Sequence, residues 1–296
     1  MTKTATSNFK LIKKIQAESF TTKKLSSYSL CLQIGIRDFQ FLIINRQTGG
    51  CILLEDYKLS NIKTINSRLE VLKEIFLNHP TLSLTSWDNI KVSFKSHKFS
   101  LIPKSQFIPS VASDYLALNS DIQTKIDEVY YYKHIISDAV NVFTADKKVV
   151  AWLKQTMANK AIQIVHQGST FIEGILKYDD HSAEKSLFCY IDRGIIHLAV
   201  TQNQKLHYYN QFAARNGEDY LKYMMLVIKE LGLSAKSSNV VLWGFVKNDS
   251  ATVELLKKYI RNINFGSKPS FMKFTREFDN VADHRYFDLY SMFLCE

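Results

Sequence analysis

The chain has 296 residues, 46% of them hydrophobic, and a formal net charge of +10. That length and apolar content exclude a disordered chain and allow two domains of ordinary size or one large one. No apolar run approaches the ~20 residues of a membrane-spanning helix, and the start lacks the apolar core of a signal peptide.

Residues 1–25 form a basic arm rich in Lys, Ser and Thr, with one apolar cluster at Phe9, Leu11, Ile12 and Ile15. From Tyr28 the pattern changes. Tyr28 to Ile34, Phe39 to Asn45 and Cys51 to Tyr57 are short apolar runs divided by turn residues, which predicts a three-stranded antiparallel meander. Ile62, Ile65, Leu69, Leu72 and Phe76 then recur at helical spacing. Residues 89–135 read as an insertion, with a hairpin across Lys95–Lys98, a helix over Ser110–Leu118 and a strand at Val129–Tyr132. Its lysines (Lys91, Lys95, Lys98, Lys104) and tyrosine run suit single-stranded nucleic acid, although a half-buried core strand explains the same pattern.

Ala139 to Ala145 predicts a buried strand, and Asp146 caps the following helix. Ile162 to Val165 is another strand. Thr170 to Glu173 has the spacing of a capping box opening the next helix. His166 stands where it could line a cleft, or serve as a structural hydrogen-bonded residue. The polar stretch Asp179-Asp180-His181-Ser182 is the candidate hinge between a first domain, 26–180, and a second, 181–296.

The second half repeats the order. Leu187–Ile191, Ile195–Thr201 and Leu206–Phe212 predict three strands with a tight turn at Asn203-Gln204. Asn216 caps a helix that ends at Gly232, and Glu218 and Asp219 sit at its positive end. Val240–Trp243, a helix through Val253, Leu256 and Ile260, and Ile263–Phe265 follow. The apolar tail Tyr286–Leu294 is expected to pack back on the body.

Two βββαβα units, each with a further strand and helix, describe the actin-like ATPase (RNase H-like) fold, an α/β duplication around a cleft. Ile191-Asp192-Arg193-Gly194 resembles the second phosphate-loop turn of that superfamily. Asn216-Gly217-Glu218-Asp219 is similar to a helix start in its chaperone branch. The run from Val142 to His166 resembles the type IV pilus assembly protein PilM and, more loosely, the division protein FtsA. The whole chain also resembles an uncharacterised bacterial family assigned to this fold.

The resemblance implies a nucleotide cleft, with ATP and Mg²⁺ as the possible cofactors. Its site residues carry over to Gln33, Gly35, Arg37 and Asp38 at the first turn and Asp192, Arg193 and Gly194 at the second. Gly217 and Glu218 at the helix start, and Gly244 and Phe245 at the adenosine turn, complete the set. Asp192 is the candidate metal ligand and catalytic residue. The motifs depart from the superfamily pattern. Gln33-Ile34-Gly35 stands where Asp-x-Gly is expected, Arg37-Asp38 replaces small hydroxyl residues, and a single glycine sits between Trp243 and Phe245. A neutral amide cannot supply the charge of a metal-holding carboxylate.

The expected function is therefore a non-catalytic scaffold or adaptor with weak or lost ATP binding and another protein as partner. A slow Mg-ATPase is the first alternative. Nucleic-acid binding is the second, because residues 1–110 hold 16 Lys/Arg against 7 Asp/Glu, +9 of the total charge. Four widely spaced cysteines, Cys31, Cys51, Cys189 and Cys295, lack metal or redox spacing, which fits reduced thiols and a cytoplasmic protein.

Overall fold

The computed structural model describes residues 8–158, 160–179 and 182–296. The first half opens with strand β1 (Phe9–Gln16), then β2 (Tyr28–Ile34), β3 (Asp38–Asn45), β4 (Gly50–Leu59) and helix α1 (Ile65–Asn78). Next come β5 (Asn89–Phe94), β6 (Phe99–Pro103), α2 (Ala112–Ala117), β7 (Asp127–Lys133) and β8 (Ala139–Asp146). This half closes with α3 (Lys147–Thr156), β9 (Ile162–His166) and α4 (Gln167–Tyr178). The second half runs β10 (Ser186–Asp192), β11 (Ile195–Gln202), β12 (Lys205–Ala213), α5 (Gly217–Glu230), β13 (Val240–Gly244), α6 (Ala251–Tyr259) and β14 (Ile263–Phe265). The two-residue strand β15 (Lys273–Phe274) and the short helix α7 (Phe287–Ser291) end it.

The duplication is explicit in the sheets. The first is ordered β1-β4-β3-β2-β5-β9, with β15 added on β4, and the second β12-β11-β10-β13-β14. In each half an antiparallel meander is extended by two parallel strands on the side of its first strand. The central strands β2 and β10 are buried along their whole length, as expected where helices cover both faces. This is the actin-like ATPase fold.

The Thr64 hydroxyl accepts from Ser67 N–H, and Ser67 returns the bond, so α1 begins with a capping box. Its Leu69, Leu72, Ile75 and Phe76 are buried in the larger core. Helix α4 differs from expectation. It starts at Gln167, with the His166 side chain as N-cap, so Thr170 and Glu173 lie inside the helix rather than at its start. Both are buried. The Thr170 hydroxyl donates back to the Gln167 carbonyl, and the Glu173 carboxylate accepts from Ile135 N–H at 2.8 Å.

Strand β5 sits inside the large sheet between β2 and β9, whereas β6, β8 and β7 form a separate three-stranded sheet. The added lobe thus spans 99–146. It begins later than the expected insertion at 89, because Asn89–Phe94 pairs in parallel with β2. It also takes in β8, which reads as core because it is buried on both neighbours. Part of the N-terminal arm, β1, pairs with β4; residues 1–7 lie outside the described set. Of the hinge candidates, Asp180 and His181 also lie outside it. Asp179 is buried and accepts from the Thr201 hydroxyl at 2.6 Å.

The tail packs back as expected. Helix α7 rests against α4. The buried Lys91 ammonium donates to the carbonyls of Met292, Phe293 and Cys295. No helix among the described residues is long and apolar enough to cross a membrane. All four cysteines are buried free thiols.

Candidate functional site

Ligands of open α/β sheets gather at the carboxyl ends of the parallel strands. Here those ends are Ile34, Phe94, Asp192 and Gly244, and the residues just beyond them meet between the halves. Arg37, Asp38, Lys95, Gln167, Asp192 and Arg193 line one cleft of about 300 Å³.

The β10–β11 hairpin presents Asp192 and Arg193. Asp192 pairs with Ile195, leaving a two-residue loop with φ of 48° at Arg193 and 91° at Gly194. Positive φ at both loop positions matches the twist of the flanking strands and favours glycine second. The first hairpin, Gly35-Ile36-Arg37, is one residue longer. It closes with Gly35 N–H donating to the Asp38 carbonyl at 3.0 Å, and Asp38 begins β3.

Two cations bind these carboxylates together. The Lys95 ammonium lies 2.5 Å from Asp38 and 2.8 Å from Asp192. Arg193 reaches across to the first half, 2.9 Å from Asp38, and grips both oxygens of the fully buried Asp56 at 2.5 and 2.6 Å. Tyr286 also donates to Asp56, at 3.1 Å.

Beneath them, Gln167 Nε2 donates to Asp192 at 2.7 Å and to Asp288 at 2.8 Å. Gln33 Nε2 donates to the same Asp288 oxygen at 2.9 Å. Gln33 Oε1 and the other Asp192 oxygen have no hydrogen-bond partner among the described residues, and the Tyr190 hydroxyl adjoins Asp288.

Burial pushes the Asp192 carboxyl up, but Lys95, Arg193 and Gln167 outweigh it and hold the group below its ordinary value. Asp288 moves the other way, raised by burial and by the neighbouring Asp192 charge. Lys95 stays charged: burial opposes the charge, but Asp192 and Asp38 raise its pKa. His166 is neutral, lowered by burial to about 4, and its Nε2 sits 2.8 Å from the Ser96 carbonyl. It does not line the cleft: it is fully buried and its side chain caps α4, accepting from Gly168 N–H.

Gly244 ends β13, paired with Ile191 of β10. Gly244 has φ 105°, and a Cβ there would stand 2.0 Å from the Ile191 carbonyl oxygen. Its glycine serves a close strand-to-strand approach. Phe245 N–H donates to that carbonyl at 2.7 Å, and the Phe245 ring carries the guanidinium groups of Arg193 and Arg285 at 4.4 and 4.7 Å.

Gly217 and Glu218 are not brought into the cluster. Gly217 packs against Thr252 of α6, and Glu218 is exposed on the first turn of α5. Asn216 caps that helix by accepting from Asp219 N–H at 3.0 Å.

The residues that sequence reasoning missed are Asp56, Lys95 in this role, Gln167, Tyr286 and Asp288. Lys95 and Gln167 each follow a parallel strand directly, a positional signal for the cleft. Asp56 and Asp288 carried none. Of the insertion lysines, Lys91 holds the tail, Lys95 the cleft, and Lys98 pairs with Asp127 at 2.7 Å.

No curated protein matches this chain. Among solved structures it is similar to a protein of actin-like ATPase fold and unknown function from Bacteroides thetaiotaomicron. That match has a TM-score of 0.77 and 19% identity, and covers 94% of this chain and 99% of the other. It is also similar to a chain of the PilM–PilN type IV pilus biogenesis complex, with a TM-score of 0.59 and 10% identity over 90% and 97% of the two chains. A family model described as protein of unknown function DUF3822 matches residues 17–263, and the chain belongs to that family.

Proposed function

We propose that this protein is a non-catalytic scaffold of actin-like fold, in which an internal ion network occupies the place of a nucleotide and its metal. One observation carries the reading: the Lys95 ammonium sits between Asp38 and Asp192. Mg²⁺ needs oxygen ligands at 2.0–2.1 Å, and a cation already bound to those carboxylates repels a second. The rest of the cleft agrees. Gln33 presents an amide where a carboxylate is expected, and its Nε2 is engaged by Asp288. Gly244 lies against the Ile191 backbone, and the Phe245 ring beyond it is covered by Arg193 and Arg285. These residues do not fit ATP·Mg²⁺.

The network also joins the halves through Arg193–Asp56, Lys95–Asp192 and Gln33–Asp288, which suits a fixed platform better than a hinged enzyme. The partner of such a platform is another protein. Exposed apolar side chains on the added lobe and its flanks, among them Ile108, Leu118, Tyr131, Ile135 and Ile136, support that role.

Thermal unfolding in 1 mM ATP, with and without Mg²⁺, tests the reading. A ligand present at 100 times its Kd stabilises by about 2.7 kcal/mol, a rise of roughly 5–10 °C for a chain of this size. The expected shift is nil. A Mg²⁺-dependent rise that Asp192→Ala abolishes would replace this reading with a slow ATPase.

A further inference from the structure

The largest cavity among those described, about 540 Å³, lies entirely within residues 34–146. It shares a wall with the interdomain cleft at Ile36, Lys95 and His97 but opens on the first half alone. Its apolar lining comes from Ile34, Ile36, Ile62, Ile65, Phe94 and Ile126, so the large sheet, the first turn of α1 and the added lobe all contribute. A second cavity of about 230 Å³ shares Thr64, Ile65, Ile126 and Asp146 with it and brings Lys125 and Lys148 to the far mouth. The volume is that of a small-molecule site, and such sites pair an apolar lining with a few convergent polar groups.

The charged groups here leave a positive surplus. Both carboxylates of the lining are taken: Asp146 by Arg68 at 2.6 Å and Asp127 by Lys98 at 2.7 Å. The ammonium groups of Lys63, Lys125 and Lys148 have no carboxylate partner among the described residues; that of Lys148 donates to the Asn66 amide oxygen at 2.8 Å, while its backbone N–H caps on Asp146. The Arg68 Nε–H is buried without an acceptor. The cavity thus offers surplus donors and cations around an isoleucine-rich interior.

We propose that this cavity binds a small apolar molecule carrying a carboxylate, its hydrocarbon on the isoleucines and its charge at the Lys63–Arg68 side. Lys95 lines both spaces, but the proposed anchors, Lys63 and Arg68, make no contact with Asp38 or Asp192, so variants at Lys63 and Ile65 test this site apart from the nucleotide question.

Calorimetry with octanoate, octanol and octylammonium tests it on the intact protein. Octanoate should bind at least about tenfold more tightly than octylammonium, equivalent to 1.4 kcal/mol, with octanol between them. Ile65→Asp should abolish octanoate binding. That variant is expected to fold, since an acidic residue at the first position of α1 favours the helix, and its melting temperature verifies this. Lys63→Gln should weaken octanoate binding severalfold and leave octanol unchanged. Equal affinity for the three probes, no octanoate binding at 10 mM, or unaltered binding by Ile65→Asp would each overturn the proposal. So would binding of an acidic, leucine-rich octapeptide by a protein that ignores octanoate.

Discussion

Replacing Lys95 with Met removes the one cation that Asp38 and Asp192 share, while keeping most of the side-chain volume. The lysine side chain is 11% exposed, and its partners are 9% and 4% exposed, so solvent cannot take over its role. Breaking a buried ion pair from one side costs about 3–5 kcal/mol, because the carboxylates remain desolvated. For a chain of this size that corresponds to a fall in melting temperature of roughly 6–20 °C.

The sign of the pH dependence follows from Asp192. Its pKa is held low in the fold, so it contributes stability above the ordinary carboxylate range that is lost as pH falls through its folded value. Without Lys95 that contribution is reduced to what Arg193 and Gln167 still supply. The deficit of the variant should be greatest near pH 7 and shrink as pH falls through the carboxylate range, where a proton replaces the ammonium. Urea unfolding followed by circular dichroism between about pH 2 and 7 measures it. A loss under about 1 kcal/mol at pH 7, or one that does not vary with pH, would refute the claim of a desolvated, cation-bridged network.

Other perturbations test neighbouring parts of the account. Asp288→Asn fixes the neutral form that burial and Asp192 already favour. A raised folded pKa means stability lost as pH rises, so this variant should melt at or above the wild type at pH 7, and the gap should close below the carboxylate range. Gly244→Ala combines overpacking against Ile191 with a positive φ. At 1–3 kcal/mol for each effect, it should lose about 2–6 kcal/mol in a denaturant melt. Lys91→Met leaves the carbonyls of Met292, Phe293 and Cys295 without their donor. Each unsatisfied buried group costs about 1–3 kcal/mol, so hydrogen exchange should accelerate over 287–296 while the β2 and β5 amides stay protected.

The fold was legible because both copies declare themselves locally. Apolar runs of strand length, divided by Gly35 or Arg193-Gly194, precede helices whose caps, Thr64 and Asn216, lie three residues before the N–H groups they accept from. The second turn of the site was legible for the same reason: Asp192, Arg193 and Gly194 form one hairpin. What decides the chemistry was not local. Lys95 meets Asp192 across 97 positions, Arg193 meets Asp56 across 137, and Gln33 meets Asp288 across 255. Those pairings depend on how two sheets and a returning tail stack, which no spacing in the sequence encodes. The capping-box spacing at Thr170 misled for a related reason. The helix starts three residues earlier, so the Thr170 hydroxyl bonds back to the Gln167 carbonyl within it, and Glu173 is taken by a tertiary partner, Ile135 N–H.

Isothermal titration of the protein with ATP, in Mg²⁺ and in its absence, tests the central claim most directly. The ion network predicts no heat of binding at millimolar ATP under either condition. Micromolar binding that requires Mg²⁺ would mean that Lys95 yields its carboxylates to a metal, and would contradict the account.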